Sequence, residues 1–170
     1  MKFARGAKAL REVKKDGGDI DARLATVAIQ LNMIDVAEEL IKNAKRYDLL
    51  NELYQNMNQW EKAVELAEQN DKINLKSTYY KAANNYELQK EYERAIEFYE
   101  KSETHLDEVP RMLFEANMHQ KLEEYVISKD EKELWVFLAK FKESKGEIDE
   151  AQKYYQKADD YGSIVRISLH

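Results

Sequence analysis

The side chains that could carry out chemistry are three histidines and many carboxylates. His105, His119 and His170 include no pair at the i, i+4 spacing of a helical zinc site, and the HExxH pattern is absent. We therefore interpret all three as ordinary polar surface. The chain has 0 cysteines, which excludes a thiolate nucleophile, a thiolate metal site and a disulfide framework.

Adjacent carboxylates are frequent in the sequence. Examples are Glu38–Glu39, Glu123–Glu124 and Asp159–Asp160. General acid–base catalysis needs carboxylates in a cleft. In a chain of net charge −6 such pairs are expected on solvated helix faces instead. With 5 glycines and no GxGxxG, GxxxxGKS or GxSxG motif, a phosphate-binding loop or a serine nucleophile is not expected either. The sequence predicts a protein that is not an enzyme and that uses no metal or cofactor.

Composition limits the elements that could position these side chains. In 170 residues there are 5 glycines and 1 proline, which is too few for a fold rich in strands and turns and favours an all-helical chain. The acidic balance makes nucleic acid a poor partner, and no apolar run is long enough for a transmembrane helix. The basic start, MKFARGAKALREVKK, has features of a transit peptide. Its Glu12 and its lack of serine favour a helix of the fold.

A small residue recurs among large ones in four predicted amphipathic helices. Ala95, for example, lies between Tyr92 and Tyr99 on one helix face. A small side chain there allows another helix to approach closely. An aromatic residue stands 16 positions before three of these alanines, which indicates a preceding partner helix. The residues of this packing pattern are Ala37, Trp60, Ala63, Tyr79, Ala95, Tyr99, Trp135, Ala151 and Tyr155.

This arrangement resembles the tetratricopeptide repeat, whose first helix carries an aromatic-led pattern and whose second helix carries spaced alanines. The four alanines are 26, 32 and 56 residues apart, whereas the tetratricopeptide period is about 34, so the array is irregular. The sequence predicts an all-α fold, an α-solenoid of tetratricopeptide-like helix-turn-helix pairs in a right-handed superhelical array. Pro110 is expected in the first turn of a helix, where no amide hydrogen bond is lost.

We expect residues 1–170 to form a single helical-repeat segment, a fragment of a longer solenoid. The predicted pairs are 1–18 (partial), 21–45, 46–72, 76–104, 108–130, 132–159 and 163–170 (partial), with the pair between 104 and 132 the most degenerate. A solenoid normally ends in polar caps, and none is evident. The isolated segment is therefore expected to self-associate through its uncapped ends.

The concave side of such an array is lined by the first helix of each pair, and this side is the candidate protein-binding surface. The tetratricopeptide register places Lys45, Asp48, Glu52, Tyr80, Asn84, Val136 and Lys140 there. This mixture of charges does not form the lysine and asparagine clamp of chaperone adaptors.

Several stretches resemble the intraflagellar transport protein 140 family, a group of complex A subunits. Two of them are AKRYDLLNELYQNMNQWEKAVELAE (44–68) and RAIEFYEKSETHLDEVPRML (94–113), whose most specific parts are KRYDLLN and YEKSETH…EVPRML. Other matching stretches are KALRE (8–12), DARLATVAIQLNMIDVAEELIK (21–42), STYYKAANNYE (77–87), ELWVFLAKFKESKGEIDEAQKYYQKA (133–158) and SIVRI (163–167).

The resemblance implies a protein-interaction scaffold in the solenoid of a complex A core subunit. Such a subunit supports retrograde transport and the entry of membrane cargo into cilia. Its partners would be other propeller–solenoid subunits, with no small-molecule substrate, and it would localise to the cilium or flagellum, the basal body and the cytoplasm. The alternative is a tetratricopeptide-type adaptor that binds short peptides, of the chaperone or vesicle-coat kind.

Overall fold

A computed structural model describes residues 20–169, and within this range every regular element is a helix. The predicted partial pair 1–18, the KALRE stretch and His170 lie outside the described residues. The helices are α1 (Ile20–Gln30), α2 (Ile34–Asn43), α3 (Tyr47–Asn56), α4 (Trp60–Asn70), α5 (Leu75–Leu88), α6 (Tyr92–Lys101), α7 (His105–Glu115), α8 (His119–Lys129), α9 (Lys132–Ser144), α10 (Ile148–Lys157) and α11 (Tyr161–Ser168).

One type of turn joins most of these helices. After the last helical residue the chain takes three residues, and the second of them has a positive φ. In the turn between α2 and α3, for example, Lys45 has a φ of 54°, and the amide of Arg46 donates to the carbonyl oxygen of Ile41 at 3.1 Å. This is the Schellman arrangement, which satisfies carbonyl groups at the end of the helix. Such tight turns bring successive helices side by side in opposite directions.

The positive-φ position is occupied by glycine in the turn between α9 and α10, at Gly146. Lysine, asparagine, aspartate or glutamate occupies it in the similar turns at Asn32, Lys45, Asn58, Lys90, Glu103, Asn117 and Asp159. A side chain with a Cβ is strained in the left-handed region by about 1–2 kcal/mol. Most turns of this glycine-poor chain therefore contain one strained residue with a positive φ.

Replacing Lys90 by glycine is expected to stabilise the protein by roughly 0.5–1 kcal/mol, because relief of the strained φ of 63° exceeds the entropy that glycine loses. The matched change Lys81→Gly, in the interior of α5, should instead destabilise it by about 1 kcal/mol. Urea unfolding of both variants checks the pair. A loss of stability in Lys90→Gly would contradict this account of the turns.

The recurring alanines lie at fully buried positions. Ala37, Ala63, Ala95 and Ala151 are all 0% exposed. Successive helices pack on each other, as α1 does on α2, α3 on α4 and α9 on α10. Of the other residues of the packing pattern, Tyr79, Tyr99, Trp135 and Tyr155 are buried and Trp60 is partly buried.

The position predicted for Pro110 is wrong. Helix α7 begins at His105, so Pro110 lies inside the helix and not in its first turn. The predicted pair began at residue 108, whereas the helix begins three residues earlier, so that Asp107 and Glu108 belong to its first turn. Pro110 is buried beside Val109, so its ring contributes to the core.

Contacts divide the chain into two compact units, which we name the N-terminal unit (up to Ala82) and the C-terminal unit (from Ala83). The core of the N-terminal unit includes Ala25, Ala28, Ala37, Ile41, Leu50, Leu53, Tyr54 and Ala63. In the C-terminal unit, Ala139, Ala151, Tyr155 and Ile167 form one cluster. The degenerate middle region forms α7 and α8, whose Leu113, Leu122 and Val126 are 0% exposed.

Candidate protein-interaction surfaces

A polar cleft of about 430 Å³ lies in the N-terminal unit, between α3 and the start of α5. It is lined by Asp48, Asn51, Glu52, Gln55, Asn56, Asp71, Asn74, Ser77, Thr78 and Lys81. The buried amide of Asn51 donates to the hydroxyl of Thr78 at 2.9 Å, and Gln55 donates to the Asn51 oxygen at 2.7 Å. The cleft therefore has a rigid, hydrogen-bonded floor. Its three carboxylates and single lysine suit a polar or basic protein segment.

The structure places two of the predicted groove residues of the N-terminal unit, Asp48 and Glu52, together on the wall of this cleft. Arg46 binds Asp48 with two hydrogen bonds, of 2.9 and 2.7 Å, and this contact lowers the pKa of the Asp48 carboxyl group. Lys45 lies in the turn before α3 and not on the helix itself. Tyr80 lies on α5 and is partly buried.

The other predicted groove residues lie in the C-terminal unit. Asn84 is partly buried on α5, and its side-chain oxygen lies 2.7 Å from the Tyr99 hydroxyl, within hydrogen-bond distance. The Asn84 side chain therefore contacts α6 through Tyr99. Val136 is partly buried and Lys140 is exposed, both on α9. Lys140 stands at the edge of an apolar pocket that the sequence did not reveal.

A tyrosine, a glutamate and an arginine tie three consecutive helices of the C-terminal unit together. The Tyr99 hydroxyl of α6 donates to Glu87 of α5 at 2.5 Å. Arg111 of α7 reaches the same carboxylate with two hydrogen bonds, of 3.0 and 2.8 Å. Such a bidentate arginine pair fixes geometry as well as charge. The tie therefore sets the positions of α5, α6 and α7 relative to each other.

The same tie occurs again later in the chain. Tyr155 of α10 donates to Glu143 of α9 at 2.7 Å, and Arg166 of α11 binds that carboxylate at 2.6 and 2.8 Å. In both ties the tyrosine follows the glutamate by 12 residues. The spacing of 12 residues between glutamate and tyrosine is visible in the sequence, but the sequence analysis did not identify it. The two ties lie on the helix pairs that contain Ala95 and Ala151.

Electrostatics support a structural role for these ties. Burial alone would raise the pKa of Glu87, but hydrogen bonds from Arg111 and Tyr99 outweigh it and lower that pKa. Hydrogen bonds from Arg166 and Tyr155 lower the pKa of Glu143 to about 2. Burial, together with the bond to Glu143, raises the pKa of Tyr155 to about 12. Near neutral pH the Glu87 and Glu143 carboxylates are therefore ionised and the Tyr155 hydroxyl is protonated, which are the protonation states that the ties need.

The tie at Glu143 is expected to make the free energy of unfolding fall at acid pH. Its folded pKa of about 2 lies below the ordinary value of 4.5, so its contribution is complete above pH 4.5 and is lost as the pH falls toward 2. The difference in unfolding free energy between the parent chain and Glu143→Gln should therefore be constant from pH 7 to 5 and shrink below 4.5. Urea unfolding at each pH measures it. A difference that does not change with pH would contradict the assignment.

A second ionic cluster surrounds Lys142 of α9. Its ammonium group lies 2.8 Å from Glu123, 2.9 Å from Glu147 and 2.7 Å from Glu150. Hydrogen bonds to these carboxylates raise the pKa of Lys142. Because the carboxylates come from α8, the turn after α9, and α10, the lysine joins neighbouring helices.

Two histidines differ from the ordinary polar surface that the sequence suggested. His105 begins α7, and its Nε2 lies 3.1 Å from the Glu131 carboxylate. His119 begins α8 and packs its ring 4.9 Å from that of Phe141 and 6.0 Å from that of Phe114. Both are partly buried because neighbouring helices cover the start of each helix. Pairwise sequence spacing could not show these contacts between helices.

Among residues 20–169, no group of three or more histidine, cysteine, aspartate or glutamate side chains could hold a metal ion. In the same range, no helix is long and apolar enough to cross a bilayer.

The helices, their repeated turns and their buried small residues define an all-helical, tetratricopeptide-type interaction scaffold. A model of the tetratricopeptide (TPR) domain of intraflagellar transport proteins 140 and 172 matches residues 1–170, and the chain belongs to this family. The match supports a segment like the tetratricopeptide region of intraflagellar transport protein 140. Domains of this type are typically non-enzymatic scaffolds, and the family implies protein partners in the intraflagellar transport machinery and an association with cilia.

Proposed function

We propose that this chain is a scaffold segment of intraflagellar transport complex A that docks neighbouring propeller–solenoid subunits. In this role it supports retrograde transport and the entry of membrane cargo into the cilium. It acts at the cilium or flagellum, the basal body and the cytoplasm, with protein partners and without a cofactor. The observation that carries the proposal is the match of the family model to residues 1–170.

The contacts between helices agree with a mechanical role. The tie at Glu87 and the tie at Glu143 each join three helices through a shared carboxylate. Paired polar groups that link helices make a structure more rigid. Both ties lie in the C-terminal unit, which can therefore present side chains at fixed positions, and this lowers the entropy that must be lost on binding.

The proposed docking face is the surface of the first helices of each pair. In the N-terminal unit it includes Lys45, Asp48, Glu52 and Tyr80, and in the C-terminal unit Asn84, Val136 and Lys140. Asp48 and Glu52 supply negative charge beside the polar cleft, and Lys140 supplies positive charge beside an apolar pocket. The two units therefore offer surfaces of different character.

Size-exclusion chromatography of the chain with purified complex A subunits, mixed one at a time, tests the proposal. We expect co-elution with at least one subunit at micromolar concentration. Glu52→Lys is expected to weaken this complex if the subunit uses the polar cleft, whereas Lys72→Glu, an exposed change outside the cleft lining, should have little effect. If no subunit co-elutes with the chain while circular dichroism shows it to be helical and folded, the proposal fails.

A second candidate function is a tetratricopeptide-type adaptor that binds short free peptides. The polar cleft favours it, because its volume of about 430 Å³ falls in the usual range for ligand sites, about 300–1,000 Å³. This candidate predicts micromolar binding of individual peptides, weakened by Glu52→Lys in the polar cleft and by Tyr80→Ala at the predicted groove position next to Lys81 of the cleft. A peptide array without a hit, alongside co-elution with a whole subunit, would leave the scaffold function alone.

A further inference from the structure

An apolar pocket of about 330 Å³ opens between α7 and α9 in the C-terminal unit. We name it the aromatic pocket, and it is lined by Arg111, Phe114, Phe137, Lys140, Phe141 and Ser144. Its volume is at the lower end of the usual range for ligand sites, about 300–1,000 Å³. A single large side chain suits it better than an extended surface.

Three phenylalanines form the floor and wall of the aromatic pocket. The Phe114 ring meets Phe137 edge-on at 6.4 Å and Phe141 edge-on at 5.5 Å. Phe141 is 7% exposed, and its ring packs against the His119 ring with the centroids 4.9 Å apart. Phe114, in contrast, is 44% exposed. The cluster is thus preformed but incompletely covered. An apolar side chain entering it would bury the open face of Phe114 without rearranging the core.

Positively charged side chains lie at and near the rim of the pocket. Arg111 is neutralised by carboxylates, since it binds Glu87, Glu108 and Glu115. Lys140, in contrast, forms no salt bridge within the described residues, although its charge helps to lower the pKa values of the Glu143 and Asp160 carboxyl groups. Lys145 does not line the pocket, but its ammonium group lies 4.4 Å above the Phe141 ring. These two lysines stand out against an acidic chain of net charge −6.

We propose that the aromatic pocket docks a linear acidic segment of a neighbouring protein subunit. One large apolar side chain of that segment enters between Phe114, Phe137 and Phe141, and an adjacent carboxylate pairs with Lys140. This inference rests on the proposed scaffold function, since it specifies the chemistry of one docking contact. Buried apolar anchors are the usual energetic centres of interfaces, and charges at the rim add specificity and faster association.

Selection from a random nonapeptide library displayed on phage, with the 1–170 chain as bait, tests the proposal. Recovered peptides should carry a large apolar residue within two positions of an aspartate or glutamate. Synthetic versions should bind with micromolar Kd by fluorescence anisotropy. Phe114→Asp should weaken them about tenfold or more, because it removes apolar contact and adds a like charge. Lys140→Glu should weaken them most at low salt, because it places two carboxylates opposite each other and salt screens that repulsion.

Two matched controls separate binding from folding. Ile127→Asp introduces the same charge at an apolar residue of α8 that is 59% exposed and does not line the pocket. Lys153→Glu reverses an exposed lysine of α10 that is also outside it. Both should bind the peptides like the parent chain, and circular dichroism should be unchanged in all four variants. Peptides that lack the pattern, or that bind Phe114→Asp as tightly as the parent chain, would overturn the proposal.

Two further results would also overturn it. If light scattering detects a dimer that Phe114→Asp abolishes, the occupant is a second copy of this chain. If complex A subunits co-elute equally with the parent chain, Phe114→Asp and Lys140→Glu, docking uses another face, and the scaffold function stands without this pocket. Failure of the parent chain to co-elute with any subunit removes the scaffold function instead, which separates the two failures.

Discussion

Replacing Tyr99 by alanine is expected to lower the free energy of unfolding by about 3–5 kcal/mol, because the change leaves a cavity the size of an aromatic ring. The side chain is 0% exposed, and its hydroxyl group lies 2.5 Å from the Glu87 carboxylate and 2.7 Å from the Asn84 oxygen. Tyr99→Phe, which keeps the ring and removes only these polar contacts, should lose about 1.5 kcal/mol. Urea unfolding followed by circular dichroism measures both changes.

The matched control is Tyr161→Ala, at a tyrosine of α11 that is 62% exposed. An exposed substitution of this kind normally stays within about 0.5 kcal/mol. If Tyr99→Phe were as destabilising as Tyr99→Ala, the hydrogen bonds and not the ring would dominate. If neither variant were destabilised, Tyr99 would not be part of the core.

Replacing Ala95 by leucine should destabilise the protein by about 1–3 kcal/mol. Ala95 is 0% exposed on α6, next to the helix that supplies Glu87 and near the buried Tyr99. Three additional carbon atoms have no free volume to enter, so α6 must move away from its neighbours or adopt strained side-chain conformations. The shift in the urea midpoint, at unchanged slope, measures the effect.

Glu97→Leu is the control for this change, because Glu97 is exposed on the same helix and its contact with Lys101 is a surface ion pair of 2.7 Å. Loss of such a pair is expected to change stability by less than about 1 kcal/mol. Equal stability of Ala95→Leu and the parent chain would show that the small residue is not required for close helix packing.

Much of the fold could be predicted from the sequence, because helix packing leaves a periodic record. The aromatic residues Tyr79 and Trp135 mark first helices, and the second helices are marked by Ala37, Ala63, Ala95 and Ala151. The all-α, tetratricopeptide-like fold expected from these residues is confirmed by the helices of residues 20–169 and by the family match. Such patterns work because one residue determines how closely two helices approach.

The turns were harder to predict. Sequence rules associate positive φ with glycine, yet Lys45, Lys90 and Glu103 adopt it here. The hydrogen bonds that end each helix compensate for the strain of these residues, and that compensation is a property of the folded helix end. Pro110 was misplaced because the predicted helix pair began at residue 108, whereas α7 begins at His105, after Thr104.

The candidate surfaces could be predicted only in part. Asp48 and Glu52 were placed on one face from the repeat register, and they lie together on the polar cleft. The aromatic pocket went unrecognised, because Phe114 and Phe141 come from helices separated by another helix in the sequence. Repeat patterns record packing between neighbouring helices. They contain little information about which uncovered side chains a partner would use, and the groove residues stay a prediction.

Recovery of complex A subunits on this protein from ciliated cells tests the scaffold claim most directly. Tagged intact protein, which contains residues 20–169, is compared at equal abundance with a shortened protein that lacks them, and co-purified subunits are quantified by mass spectrometry. Our account predicts that at least one subunit is lost from the shortened protein, and that Phe114→Asp in the intact protein reduces the same subunit. Recovery of every subunit at the intact level would show that this segment is a spacer and would contradict the account.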